Sequence, residues 1–167
     1  DSRYILTHRV DERQVNALHL LQSAPEDGSV RPKLYEYRYA MANEAQNPHY
    51  YPVIFDVENR TALKLPEIIP FFRYVPPTSD GMQWSTDSQK IYALSFAPYM
   101  KSVELLQFDV RTGEQKVLVK ESASSMVRLS HQVGDAYLVD VLKNGDVIWF
   151  SERDGYGHLY LYNGSTG

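Results

Sequence analysis

Phe55-Asp56-Val57-Glu58-Asn59-Arg60-Thr61, Phe108-Asp109-Val110-Arg111-Thr112-Gly113 and Tyr162-Asn163-Gly164-Ser165-Thr166-Gly167 align on one another at steps of 53 and 54 residues. Each copy ends an apolar run on an aromatic residue and follows it with polar turn formers. A period of roughly 50 residues built from strands and turns is the mark of a β-propeller or similar array, in which one repeat cannot bury its faces alone. The repeat therefore predicts an all-β chain, a partial β-propeller of about three four-stranded antiparallel blades. About three units cannot close a ring, so the chain reads as one section of a larger ring, beginning and ending inside a blade.

Working outward, strands are expected over 3–10, 53–57, 62–65, 89–96, 103–110, 115–119, 136–142, 147–151 and 159–162. Gly81-Met82-Gln83-Trp84-Ser85-Thr86-Asp87-Ser88 ends a further strand on Trp84 and turns. The pairs Asp1-Ser2, Asp87-Ser88 and Asn144-Gly145 each precede an apolar strand, at steps of 86 and 57 residues. These boundaries divide a single propeller segment, 1–167, into a partial blade at 1–70, a complete blade at 71–121 and a partial blade at 122–167.

The first step is longer than the second, and the excess lies at about 13–52 as an inserted arm. Within it Tyr35, Tyr37 and Tyr39 alternate with Glu36 and Arg38, a strand pattern with one aromatic face. Such a strand belongs either to a long hairpin folded over its own blade or to an arm that pairs with another subunit or domain, since exposed aromatic strand faces are usually covered.

Composition removes several classes of function. Net charge is −4 with no basic stripe, so no nucleic-acid partner is expected. No apolar run is long enough to span a bilayer. There is no cysteine, which excludes disulfides and thiol nucleophiles. His8, His19, His49, His131 and His158 are scattered without metal-ligand spacing, and no G-x-S-x-G elbow, Walker loop or dinucleotide fingerprint occurs. No metal, cofactor or catalytic residue is assigned. Two sequons, Asn59-Arg60-Thr61 and Asn163-Gly164-Ser165, fall in the repeat's own turn, where turn chemistry accounts for them.

The densest polar cluster is Ser151-Glu152-Arg153-Asp154-Gly155-Tyr156-Gly157-His158. It reads either as a structural hairpin, with Asp-Gly making the turn and the Arg and His pairing locally, or as a loop that brings Arg153 to a substrate carboxylate or carbonyl. Extended to Leu159-Tyr160-Leu161-Tyr162, this stretch resembles the S-E-R-D-G-[WY]-x-H-L-Y-x-Y segment of dipeptidyl peptidase IV-like serine peptidases, within the prolyl oligopeptidase superfamily. The arm is similar to that family's own, through Arg31-Pro32-Lys33 to Tyr39 and then Asn47-Pro48, and Gln83-Trp84-Ser85-Thr86-Asp87 resembles its W-S-x-D turn. Ala40 stands where the family's arm carries proline, and Asn43 lies near the place of its glycine.

The resemblance implies an eight-bladed propeller stacked on a C-terminal α/β-hydrolase domain of the same parent chain. It implies release of dipeptides from peptide N-termini by a Ser, Asp and His lying C-terminal to Gly167, with the paired glutamates that bind the substrate amine falling before Asp1. The segment itself would gate the chamber and recognise peptide N-termini. Arg128 lies where the family brings an arginine toward the cavity, and it joins Arg153 as a candidate substrate-cavity residue. Tyr35, Tyr37 and Tyr39 become candidates for a homodimer arm, and the parent is expected to be periplasmic or secreted. A non-catalytic propeller scaffold and an acylaminoacyl- or oligopeptidase-type relative are the alternatives.

Overall fold

The computed structural model describes residues 3–41, 44–70, 81–131 and 136–166. Asp1, Ser2, Asn43 and Gly167, each part of an expectation above, lie outside that set, as does 71–80 at the start of the expected complete blade. The chain divides into two compact units, one running through Arg9 and resuming at Tyr50, the other spanning Val10–His49.

The larger unit is a series of antiparallel sheets. The middle sheet has four strands in chain order, β6 (Met82–Trp84), β7 (Lys90–Phe96), β8 (Ser102–Asp109) and β9 (Gln115–Ser122); their labels count all strands from the N-terminus. On one side is a three-stranded sheet of β1 (Tyr4–Asp11), β4 (His49–Asp56) and β5 (Thr61–Lys64). On the other lie β10 (Val139–Val141), β11 (Val147–Ser151) and β12 (His158–Tyr162). The fold is thus an all-β partial propeller, with one short 3-10 turn, at Pro98–Met100, among the described residues.

Why β7 reads as an unbroken apolar run, Ile91-Tyr92-Ala93-Leu94, follows from its place. A strand with one solvated face alternates, whereas one covered on both faces does not. Ile91 and Ala93, with Leu106 and Phe108 of β8, pack against Ile54 and Leu65 of the first sheet. Tyr92, Leu94 and Phe96, with Val103 and Leu105, pack against Val141, Val147 and Trp149 of the third. Leu105 and Leu106 of β8 serve opposite faces by ordinary strand alternation, while the register shift beside them leaves Leu118 as an extra residue of β9, so that Leu118 and Val119 both join the core facing the third sheet. Phe108 and Trp149 are completely buried, each contributing about 2–3 kcal/mol through apolar burial.

The repeat that identifies the fold is a turn device. Asp109 Oδ1 accepts the amide N–H groups of Arg111 at 2.9 Å and Thr112 at 2.8 Å. In the third copy Asn163 Oδ1 accepts the equivalent amides of Ser165 at 2.9 Å and Thr166 at 3.0 Å. In the first, Asp56 Oδ1 accepts the amide of Asn59 at 3.0 Å. Arg60 and Gly113, at the same repeat position, both take positive φ, 54° and 73°. The other turn repeats too: Ser88 at φ 57° and Gly145 at φ 90° stand at equivalent places. Strand extents shift modestly from expectation, with β4 starting at His49 rather than Val53 and β10 confined to Val139–Val141.

The second unit is a two-stranded hairpin of β2 (Ala17–Gln22) and β3 (Lys33–Arg38). Its register sets Leu18 opposite Tyr37 and Leu20 opposite Tyr35, with His19 opposite Glu36 on the reverse face. The tyrosine strand therefore has a partner inside the arm. A lone hairpin is marginal in water, so cross-strand pairs matter here. Tyr35 Oη donates to Gln22 Oε1 at 3.0 Å, and the Tyr37 and Tyr39 rings meet edge to face at 6.2 Å.

Amide hydrogen bonds from Thr112 and Arg111 hold the Asp109 carboxyl below its usual range, although desolvation opposes them. A carboxylate with a depressed folded-state pKa stabilises fully above its unfolded pKa, and the contribution is lost as pH falls through the folded value. Asp109→Ala should therefore cost about 1–2 kcal/mol near neutral pH. Asp109→Asn should cost less, since Asn163 makes the same bonds in the third copy, and should flatten the decline in stability below about pH 4. Thermal unfolding of the full-length protein and both variants from pH 7 downward measures this.

Candidate functional site

The polar cluster singled out in the sequence folds into one hub between the second and third sheets. Its centre is Glu121 at the end of β9, whose side chain is only 11% exposed. Trp149 Nε1 donates to Glu121 Oε2 at 2.7 Å and Ser151 Oγ donates to Oε1 at 2.6 Å. Arg153 Nη2 donates to Glu121 Oε2 at 3.0 Å and to Tyr162 Oη at 2.7 Å. Arg153 Nε donates to Ser151 Oγ at 2.9 Å, and the guanidinium lies 4.2 Å from the Tyr160 ring centre.

These contacts suit the donors and acceptors involved. A carboxylate offers enough lone pairs for three donors, and a planar guanidinium can stack on an aromatic ring while its edge donates. Burial alone would lower the Arg153 pKa, but the Tyr162 hydrogen bond and the Glu121 charge outweigh it and raise it. Arg153 is charged and well anchored, paired with Glu121 rather than with His158. His158 instead lies 3.8 Å from Asp154, which also accepts Tyr160 Oη at 3.1 Å.

Arg128 belongs to the same end of the sheets. It sits in the connection from β9 to β10, between the buried Val127 and Leu129, which anchor the backbone on both sides. Its Nη2 donates to the His131 carbonyl, and its Nη1 lies 3.7 Å from Glu152 Oε1. The structure thus brings Arg128 to the residue just before Arg153. His131 packs edge-on against Phe150 at 4.9 Å. Among the described residues no group of three or more acidic or histidine side chains could hold a metal ion.

The sequence reading missed Glu121, Trp149 and Tyr162 as members of this cluster. Glu121 follows Val117-Leu118-Val119 and looks like the polar end of a strand. Its partners come 28 to 32 residues later, a spacing set by one sheet packing on the next. The arm candidates Tyr35, Tyr37 and Tyr39 lie in the separate hairpin unit, 50%, 44% and 40% exposed.

Gly157 closes the loop against Phe150. A Cβ there would fall 2.7 and 2.8 Å from two carbons of that ring, which is itself buried. Gly157→Ala should therefore lower stability by about 1–3 kcal/mol, read as a fall in Tm of the full-length protein.

Comparison with known proteins agrees with this architecture. The family model for the dipeptidyl peptidase IV (DPP IV) N-terminal region matches residues 1–167. A Bacteroides ovatus ATCC 8483 protein assigned as a dipeptidyl aminopeptidase IV superposes with a TM-score of 0.69 at 22% identity, over 96% of this chain and 21% of that one. Porphyromonas gingivalis dipeptidyl peptidase 4 superposes with a TM-score of 0.72 at 17% identity, again over 96% and 21%. At these identities the likeness carries the fold, and this chain spans about a fifth of the length of each structure. Matched by the family model along its whole length, the chain belongs to the dipeptidyl peptidase IV N-terminal region family.

Proposed function

We propose that this chain is a propeller segment of a dipeptidyl peptidase IV-like serine exopeptidase, gating the chamber and recognising peptide N-termini. The observation that carries this reading is the family match over residues 1–167. An eight-bladed ring, a C-terminal α/β-hydrolase domain in the same parent chain and a homodimer complete the proposal. The chemistry, a Ser-His-Asp acyl transfer, belongs to the hydrolase domain.

Within the segment, the substrate-facing role goes to Arg128 and the supporting role to Arg153. Arg153 already commits Nε and Nη2 to Ser151, Glu121 and Tyr162, whereas the side-chain partners of Arg128 are a carbonyl and a carboxylate 3.7 Å away. A guanidinium held at that distance keeps donors for a peptide carbonyl. Tyr35 and Tyr37, with Leu18 and Leu20 on the same hairpin face, form the proposed dimer surface.

The full-length protein should release the dipeptide from a Gly-Pro anilide, and residues 1–167 alone should not. Turnover by the isolated segment, or release of single amino acids by the full-length protein, would contradict the assignment. Replacing Tyr35 and Tyr37 together by glutamate should convert the full-length dimer to monomer in light scattering, because burying unpaired carboxylates at an interface is costly. An unchanged mass would remove the arm from the dimer contact.

A further inference from the structure

We propose that Glu121 is a positioning residue that sets the place of Arg128. The proposal rests on the reading of Arg128 as a cavity residue. Two routes run from Glu121 to that side chain. Along the chain, Glu121 stands one residue before the end of β9, where the connection that carries Arg128 begins. Through space, it holds both sides of the turn that carries Glu152: Ser151 Oγ donates to Oε1 at 2.6 Å and Arg153 Nη2 to Oε2 at 3.0 Å. Glu152, between those two anchors, lies 3.7 Å from Arg128 Nη1.

The carboxylate is specific to this job. Its two oxygens take three donors from the third sheet, counting Trp149 Nε1 at 2.7 Å. A glutamine has one acceptor oxygen and no charge, so it cannot keep all three while matching Arg153. Arg153 is the arm of the device, since it also grips Tyr162 and stacks on Tyr160, tying the turn to β12. Backbone bonds brace the neighbouring connection: Ala123 N donates to Lys101 O at 3.0 Å and Val127 N to Met100 O at 2.8 Å. Side-chain placement of Arg128 is thus left to Glu152 and the His131 carbonyl, and Glu121 governs the first of these.

The test is a double-mutant cycle in the full-length enzyme with a Gly-Pro anilide as probe. Glu121→Gln should raise KM about three- to tenfold with kcat within about twofold, and Arg128→Ala should raise KM by at least as much. The combined variant should be no worse than Arg128→Ala alone. Glu152→Gln, at an exposed position, should reproduce the KM effect without lowering Tm and serves if Glu121→Gln fails to fold. Equal KM increases from Glu121→Gln in both backgrounds, or a lower Tm with unchanged KM, would overturn the positioning role. An unchanged KM in Arg128→Ala would instead overturn the cavity reading of Arg128, and the positioning role with it.

Discussion

Burial of both faces of the β6–β9 sheet is the constraint on which the larger unit depends. A single blade has two apolar faces and cannot fold as an ordinary half-solvated sheet. Ile91 and Phe108 on one face, Leu94 and Val103 on the other, leave water only because the first and third sheets supply Ile54, Leu65, Val147 and Trp149. Ordinary alternation along β8 serves this double duty, with Val103 and Leu105 on one face and Leu106 and Phe108 on the other. Each sheet is therefore both core and cover for its neighbour, the energetic pattern of an array.

Polar contacts between sheets then select one arrangement from the many that apolar packing would accept. Gln83 of β6 reads the backbone of Val141: its Nε2 donates to the Val141 carbonyl at 3.2 Å, and its Oε1 accepts the Val141 N–H at 3.2 Å. The same Nε2 lies 3.1 Å from Asp140 Oδ1. At the opposite end of the sheets Glu121 does the equivalent with side chains. Such pairings add modest net stability, because water would satisfy the same groups in the unfolded chain, but leaving one of them buried and unmet would be expensive. They act mainly on registration, and registration is what a site assembled from two sheets requires.

The chain departs from its own repeat at one end of the sheets only. The turns after Phe55, Phe108 and Tyr162 are conserved in design because they do one job, presenting an Asp or Asn oxygen to the amides that follow. At the other end the connections differ from blade to blade: a hairpin arm between β1 and β4, a tight turn around Pro98–Met100, and the Ser151–His158 loop. The arm and the Ser151–His158 loop both carry arginine, tyrosine and histidine.

Much of this was legible in the residues themselves. Period, turn chemistry and unbroken apolar strands are local properties, so the all-β array and the positions of most strands could be read directly. The resemblance in Ser151–Tyr162 also rested on consecutive residues. The tertiary structure decided what depends on contacts between distant segments. It paired the tyrosine strand with Leu18 and Leu20, gave Arg153 to Glu121 instead of His158, and placed Arg128 beside Glu152. The physical reason is one of range: backbone preferences and alternation act over a few residues, whereas a carboxylate finds its donors only after whole sheets have packed.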